Sequence, residues 1–359
     1  MSYFKKSILL CALVACIMCQ LLDQSSEFVV GNGAGLFYRF NPSSRDVRCV
    51  DDSGVVVRSI NLPFLPNSAA LTSVSDVAVI SGVQTTSATS VVATVNLASG
   101  TITKSITTTT STKVIAVKDD YIIVANGLCY RRMCLNTLSE SSRQICAPME
   151  TKLLGLINGY QAAVTTMEQT TRVGVFDIRG FIDASFSNTM KVIPGVCNGT
   201  PFLARNAHIY TSTTSGVMHK YAIASNALSV VKSINYGISG PIKVATDVCN
   251  NDHITVVGTN NDSCGVTQVS LSSFSILGTP VNFRTSILGA FNNLNWQSKL
   301  FGAVSGSSLL LGGFGNNVCA IGCNRGVVCN GVVTSSNINL SPRLKTCPLI
   351  NLGMNLASC

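Results

Sequence analysis

The feature that most constrains this chain is a recurring unit of short strands. In its clearest copy, residues 76–107, an apolar run at Val77–Ile80 leads through Ser/Thr-rich turns to an alternating run at 90–97. A polar turn at 98–100 then feeds a further strand at 101–106. Comparable units fall at 28–52, 114–147, 152–187, 201–234, 241–281 and 291–336. Their third strands read as 35–40, 90–97, 128–135, 171–177, 216–222, 265–271 and 317–322, spaced by roughly 40 to 50 residues. One such unit exposes an apolar face on both sides, so it is stable only when copies pack against one another.

Composition agrees with strands. Only 11% of residues are charged, 46% are hydrophobic, and the run Thr107–Thr112 is a poor helix former because β-branched side chains lose rotamer freedom in a helix. An all-β fold follows. The period and the four-strand plan resemble a β-propeller of about seven blades, with six as the nearest alternative, in which radial packing covers both faces of every blade. The resemblance is architectural. There is no Trp-Asp blade ending, no regular Gly-Gly pair and no sialidase-type Asp box, so no named family is matched. Two β-sandwich domains with a cysteine-rich tail are the alternative architecture.

The N-terminus carries Lys5 and Lys6 ahead of sixteen uncharged, largely apolar residues, Ser7 to Leu22. That is the layout of a signal peptide, or of a signal anchor if it is retained, and both routes export the body of the chain. Residues 1–22 are therefore assigned to the leader, 28–336 to the propeller-like domain and 337–359 to a cysteine-containing extension. The segment Leu13 to Cys16 also resembles a bacterial lipobox, although Ile17 to Leu22 continues apolar where a lipidated cysteine is ordinarily followed by a polar tether. The expected location is secreted or surface-displayed, including a type II anchored or envelope protein.

Export places cysteines in an oxidising compartment. Three of the fifteen lie in the leader (Cys11, Cys16, Cys19), and the remaining twelve are disulfide candidates: Cys49, Cys129, Cys134, Cys146, Cys197, Cys249, Cys264, Cys319, Cys323, Cys329, Cys347 and Cys359. Cys49 is a candidate partner for Cys347 or Cys359, which would tie the first unit to the tail. The C-x3-C-x5-C spacing from Cys319 lacks the C-x2-C pairs of structural zinc sites, so no metal is assigned. Asn198, Asn261 and Asn339 head sequons and are candidate glycosylation sites.

No catalytic or cofactor motif emerges, and none is assigned. The three histidines, His208, His219 and His253, stand outside recognised motifs. Asp51–Asp52, Asp119–Asp120 and Asp252 sit at predicted turns, where Asp and Asn bond their own backbone. Gly31, Gly33 and Gly35 precede another strand rather than a phosphate-binding helix. Arg39, Arg132, Arg172, Arg205 and Arg284 are the arginines from which a glycan hydrolase would have to build a carboxylate clamp. The formal charge of +9, two of it in the leader, is spread without a basic tract interleaved with aromatics, which argues against nucleic-acid binding. The sequence thus points to a module that binds a protein or glycan, with the N-terminal segment as a route to membrane association. A glycan hydrolase or a structural coat component are the alternatives.

Overall fold

The computed structural model describes residues 27–335, apart from 285–300 and short loop stretches, with side chains as far as residue 280. The chain forms successive antiparallel sheets in sequence order. Blade 1 comprises β1 (Phe28–Gly31), β2 (Phe37–Phe40), β3 (Asp46–Val50) and β4 (Val56–Asn61). Blade 2 has β5 (Leu65–Leu71), β6 (Val77–Val83), β7 (Ser90–Asn96) and β8 (Thr101–Thr108). Blade 3 has β9 (Thr112–Lys118), β10 (Tyr121–Asn126), β11 (Cys129–Cys134) and β12 (Glu140–Cys146). Blade 4 has β13 (Thr151–Leu156), β14 (Gln161–Thr166), β15 (Val173–Asp177) and β16 (Lys191–Ile193), with a 3-10 helix, Ile178–Phe181, between the last two. Blade 5 has β17 (Thr200–Arg205), β18 (His208–Ser212), β19 (Val217–Ala224) and β20 (Ala227–Asn235). Blade 6 has β21 (Ile242–Asp247), β22 (His253–Thr259), β23 (Ser263–Ser270) and β24 (Ser275–Arg284). The closing sheet has five strands: β25 (Phe301–Ser305), β26 (Ser308–Gly312), β27 (Val318–Gly322), β28 (Gly326–Cys329) and β29 (Val332–Ser335). Six four-stranded blades thus form the regular part of a propeller ring. The last sheet closes it, because β25 lies beside β21 on one side and β1 on the other.

The period-2 pattern explains why blades stack radially rather than pairing into two sandwiches. In blade 2, Ala78 and Ile80 of β6 and Val91, Ala93 and Val95 of β7 enter a core shared with blade 1. The intervening Val79 and Val92 enter a different core, shared with blade 3. Blade 4 divides the same way: Leu153, Ala162, Val164 and Phe176 face blade 3, while Leu154, Ala163 and Val173 face blade 5. Every described core lies between neighbouring blades. The outermost strands face solvent, as in the polar β8, Thr101–Thr108, and in β20, Ala227–Asn235, which exposes Val230 and Val231. Lys104 and Lys232 on these edges discourage pairing with another sheet.

Two irregularities recur. The first and second strands slip register in blades 2 to 6, and the third and fourth in blades 1, 2, 3, 5 and 6. Such bulges increase local twist, which a radial blade needs between its inner and outer strands. A second signature links strands two and three. The N–H groups of Leu97, Leu135, Ile178, Ile223 and Leu271 donate to the carbonyls of Asp76, Asp120, Tyr160, Ala207 and Asp252 in five consecutive blades.

The expected third strands coincide with β7, β11, β15, β19, β23 and β27. In the first unit the assignment shifts: Phe37–Phe40 is the second strand, and Asp46–Val50, charged at its start, is the third. The first strand of blade 2 escaped the sequence pattern because Leu65–Leu71 carries Pro66, Asn67 and Ser68, all poor strand formers.

Blades 1 and 2 are joined by a polar bridge. The buried Tyr38 hydroxyl donates to Asp76 Oδ1 at 2.6 Å, and Asn32 Nδ2 donates to the same oxygen at 2.8 Å. Burial, followed by the hydrogen bond to Asp76, pushes the Tyr38 phenol well above its ordinary range, so the hydroxyl stays a donor. Tyr38→Phe removes a bond to a charged acceptor and is expected to lower unfolding stability by about 1.5–3 kcal/mol. Urea unfolding monitored by circular dichroism measures it; a change below about 0.5 kcal/mol would show that the bridge is dispensable.

Candidate functional site

In an antiparallel blade, the turns joining strands one to two and three to four emerge on the same face of the ring. Most of these turns are tight. Blade 4 departs from the pattern, because residues 178–190 separate β15 from a fourth strand only three residues long. A long connection on a rigid scaffold is where binding groups concentrate.

The insert begins with a cap. Asp177 Oδ1 accepts from the Arg179 N–H at 2.9 Å, and the Arg179 Nε donates to both carboxylate oxygens at 2.9 and 3.1 Å. The guanidinium hydrogen bonds hold Asp177 below the usual carboxylate range, so the pair stays charged at neutral pH. The Arg179 guanidinium also lies between two aromatic rings, its Cζ 3.9 Å from the centroids of both Tyr160 and Phe186. Tyr160 comes from the turn between β13 and β14, so the stack couples both turns of the blade.

The insert is braced against blade 3. Arg143 on β12 donates through Nε to the Gly180 carbonyl at 2.8 Å and through Nη2 to the Phe186 carbonyl at 3.5 Å. Gly180 permits the tight fold, since a Cβ there would strike the Ser187 carbonyl. Phe181 is buried between the blades, edge-on to Phe176 at 6.0 Å, and Phe176 in turn stacks on Tyr130 at 5.3 Å. Thr189 forms a parallel bridge with Cys146, which is disulfide-bonded to Cys129 across β11 and β12. On this braced frame Ile182 is 60% exposed and Tyr160 42% exposed. Apolar and aromatic groups held rigidly beside a positioned arginine are the ingredients of a protein-binding hot spot.

The sequence candidates are distributed as follows. Of the twelve body cysteines, Cys129 and Cys146 are bonded to each other, while Cys49, Cys134 and Cys197 are free thiols. Cys49 and Cys197 serve as apolar core residues, Cys49 between blades 1 and 2 and Cys197 between blades 4 and 5. Cys264, Cys319 and Cys329 lie on β23, β27 and β28. Cys249, Cys323, Cys347 and Cys359, with the candidate Cys49-to-tail pairings, fall outside the described residues, as do the leader and Asn261 and Asn339. Asn198 lies exposed on the loop entering blade 5, its backbone fixed by the Tyr221 hydroxyl at 2.7 Å and by Thr211 at 2.6 Å.

The other polar candidates serve their own blades. Arg39 is buried and paired with Glu27, and Arg132 lies 3.7 Å from Asp120 and 4.4 Å from the Tyr121 ring. Asp51 accepts from Ser53 and Val55 within its turn, and Asp252 from Ser270 and Ser272. His208 contacts the Asn206 carbonyl and His219 the Ser233 hydroxyl. No group of three His, Cys, Asp or Glu side chains is arranged for a metal among the described residues. Sequence reading missed the Tyr160–Arg179–Phe186 stack. Its available signal was the absence of a strand immediately after 171–177, where Arg179, Phe181 and Phe186 follow instead.

The free thiols differ in reactivity. Hydrogen bonds from the Thr137 side chain and backbone hold the Cys134 thiol below its ordinary value, whereas burial pushes Cys197 up to about 11 and raises Cys49. In native protein treated briefly with iodoacetamide, Cys134 is expected to be alkylated first, with Cys49 and Cys197 modified only after denaturation. Peptide mass spectrometry reads the order, and early labelling of Cys197 would contradict its burial.

No family model and no curated protein matches the chain. Similarity appears among solved structures. A chain in the crystal structure of the mitotic checkpoint complex is 12% identical with a TM-score of 0.54, over 83% of this chain and 86% of that one. KlHsv2 with loop 6CD replaced by a Gly-Ser linker is 9% identical with a TM-score of 0.52, over 83% and 94%. BamB from Moraxella catarrhalis is 11% identical with a TM-score of 0.46, over 87% of each chain. At such identities the likeness concerns the fold alone. Sheet order and radial cores, with the two likenesses above a TM-score of 0.5, make the chain a divergent β-propeller.

Proposed function

We propose that this chain is an exported binding module that recognises a protein partner through the insert on blade 4. The observation that carries the reading is the braced insert itself, which holds Ile182 and Tyr160 at the surface beside the Arg179 stack. Burying Ile182 and the exposed part of Tyr160 against a partner removes apolar surface from water at about 25 cal/mol per Å². The ordering cost is small because the loop is already fixed by Arg143, Phe181 and the cap at Asp177.

Export is supported by the leader-like N-terminus, the Cys129–Cys146 disulfide and the exposed sequon at Asn198. The module would act outside the cytosol, secreted or displayed at a cell or virion surface through an uncleaved N-terminal segment.

The test is site-specific photocrosslinking with a benzophenone amino acid at position 182, and at the outer-strand position 57 as control, using the full chain in extract from its native source. A protein adduct formed at 182 and absent at 57 is expected, and Tyr160→Ala should reduce its yield at least tenfold. Equal adducts at both positions would remove the insert from the interface. Binding to a glycan array, reduced by Tyr160→Ala, would replace the protein partner with a glycan. Turnover on a glycosidase-substrate panel would sink the binding-only reading.

A further inference from the structure

We infer that the closing sheet carries a second cross-strand disulfide, Cys319–Cys329, in the same blade position as Cys129–Cys146. In blade 3 the bond joins the third and fourth strands, at residues whose Cα atoms are direct partners across β11 and β12. In the closing sheet Cys319 and Cys329 occupy the third and fourth strands, β27 and β28, and are likewise direct Cα partners. The register between these two strands runs without a bulge from Cys319↔Cys329 to Gly322↔Gly326.

Directly opposed residues of an antiparallel pair place their Cα atoms roughly 4.5 to 5.5 Å apart. That separation falls within the range of about 4.4 to 6.8 Å that a disulfide spans. Neighbouring residues of the two strands alternate between faces, so residues in direct register share one face and neither chain must move to bring the positions together.

The placement has a structural consequence. This sheet closes the ring, with β25 beside both β21 and β1, and its hairpin β27–β28 separates β26 from the outermost β29. A bond there fixes the hairpin on which the outer half of the sheet is built. The repeated staple also gives the two outer-strand cysteine pairs a common origin in the blade plan.

The bond forms by thiol–disulfide exchange with an oxidised dithiol or with glutathione disulfide. A Cys319 or Cys329 thiolate attacks glutathione disulfide and releases one glutathione thiolate. The second cysteine thiolate then attacks the mixed disulfide and releases the other, so two protein thiols lose two protons and two electrons while one glutathione disulfide becomes two glutathiones.

Non-reducing peptide mapping tests the pair in the full chain, folded with glutathione disulfide. Free thiols are blocked with N-ethylmaleimide, N-glycans are removed enzymatically because Asn339 lies nearby, and trypsin then cuts after Lys299, Arg325 and Arg343. The expected product links peptide 300–325 to peptide 326–343, with fragment ions placing the bond on Cys319 rather than Cys323. The link should vanish on reduction and in Cys319→Ser, and persist in Cys323→Ser. A maleimide-labelled Cys329, a bond from Cys329 to Cys323, or a bond from Cys329 to any other cysteine would overturn the pairing.

Discussion

Phe181→Ala is expected to destabilise the protein by about 3–5 kcal/mol, the largest effect of any single truncation in the candidate site. Phe181 is buried in the core shared by blades 3 and 4 and meets Phe176 edge-on, so its removal deletes a large apolar side chain and leaves a cavity between two sheets. It also frees the 3-10 helix that positions Arg179. The loss should appear as a lower urea midpoint and as faster hydrogen exchange throughout 178–190, with blades 1 and 2 retaining their protection. Phe181→Leu keeps most of the apolar volume and should recover more than half of the loss. If Phe181→Ala cost less than about 1 kcal/mol, in the range of a surface substitution, the insert would not be anchored through this ring.

The double substitution Cys129→Ser with Cys146→Ser is expected to cost about 3 kcal/mol, because the bond closes a loop with a sequence separation of 17 and restricts the unfolded chain accordingly. Removing both sulfurs avoids leaving a reactive thiol. Cys146 also carries the bridge to Thr189, so the outer end of the insert should loosen with the bond. Trypsin cleavage after Lys191, close to that bridge, reports the loosening directly. Reduction of the wild-type protein, which also breaks the inferred Cys319–Cys329 bond, should shift the unfolding midpoint at least as far. If reduction and substitution both left the midpoint unchanged, the disulfide would not contribute to equilibrium stability.

The two effects have different physical origins and should be separable. Phe181 acts on the native state through packing, so its loss mainly speeds local opening of the insert. The disulfide acts largely by limiting the unfolded ensemble, so its loss lowers the midpoint without first exposing the Phe176–Phe181 core. Hydrogen exchange at Phe181 and its neighbours distinguishes them.

Much of the frame was legible in the chain because it depends on local chemistry. Val77, Val79, Val91 and Val92 alternate or cluster as strand residues whatever their neighbours, and the polar turn at 98–100 ends a strand by its own hydrogen bonding. Leu65–Leu71 was not legible, since its strand character comes from pairing with β6 rather than from its own residues. The Tyr160–Arg179–Phe186 stack was not legible either. Tyr160 and Phe186 stand on separate turns and converge on Arg179 only after blade 4 folds.

Cysteine pairing separates the two levels in the same way. The cysteine count says nothing of where each residue sits, whereas Cys49 and Cys197 fill apolar cores where β3 and the entry to blade 5 bring them.

The sequence by itself determined the recurring four-strand unit and the all-β class. These follow from side-chain alternation and turn chemistry acting over a few residues. Only the tertiary structure decided which cysteines meet and that an insert on blade 4 is braced by blade 3. Those outcomes rest on contacts between residues far apart in the chain, such as Arg143 with Gly180 and Cys146 with Thr189, and distance in space is not written in local pattern.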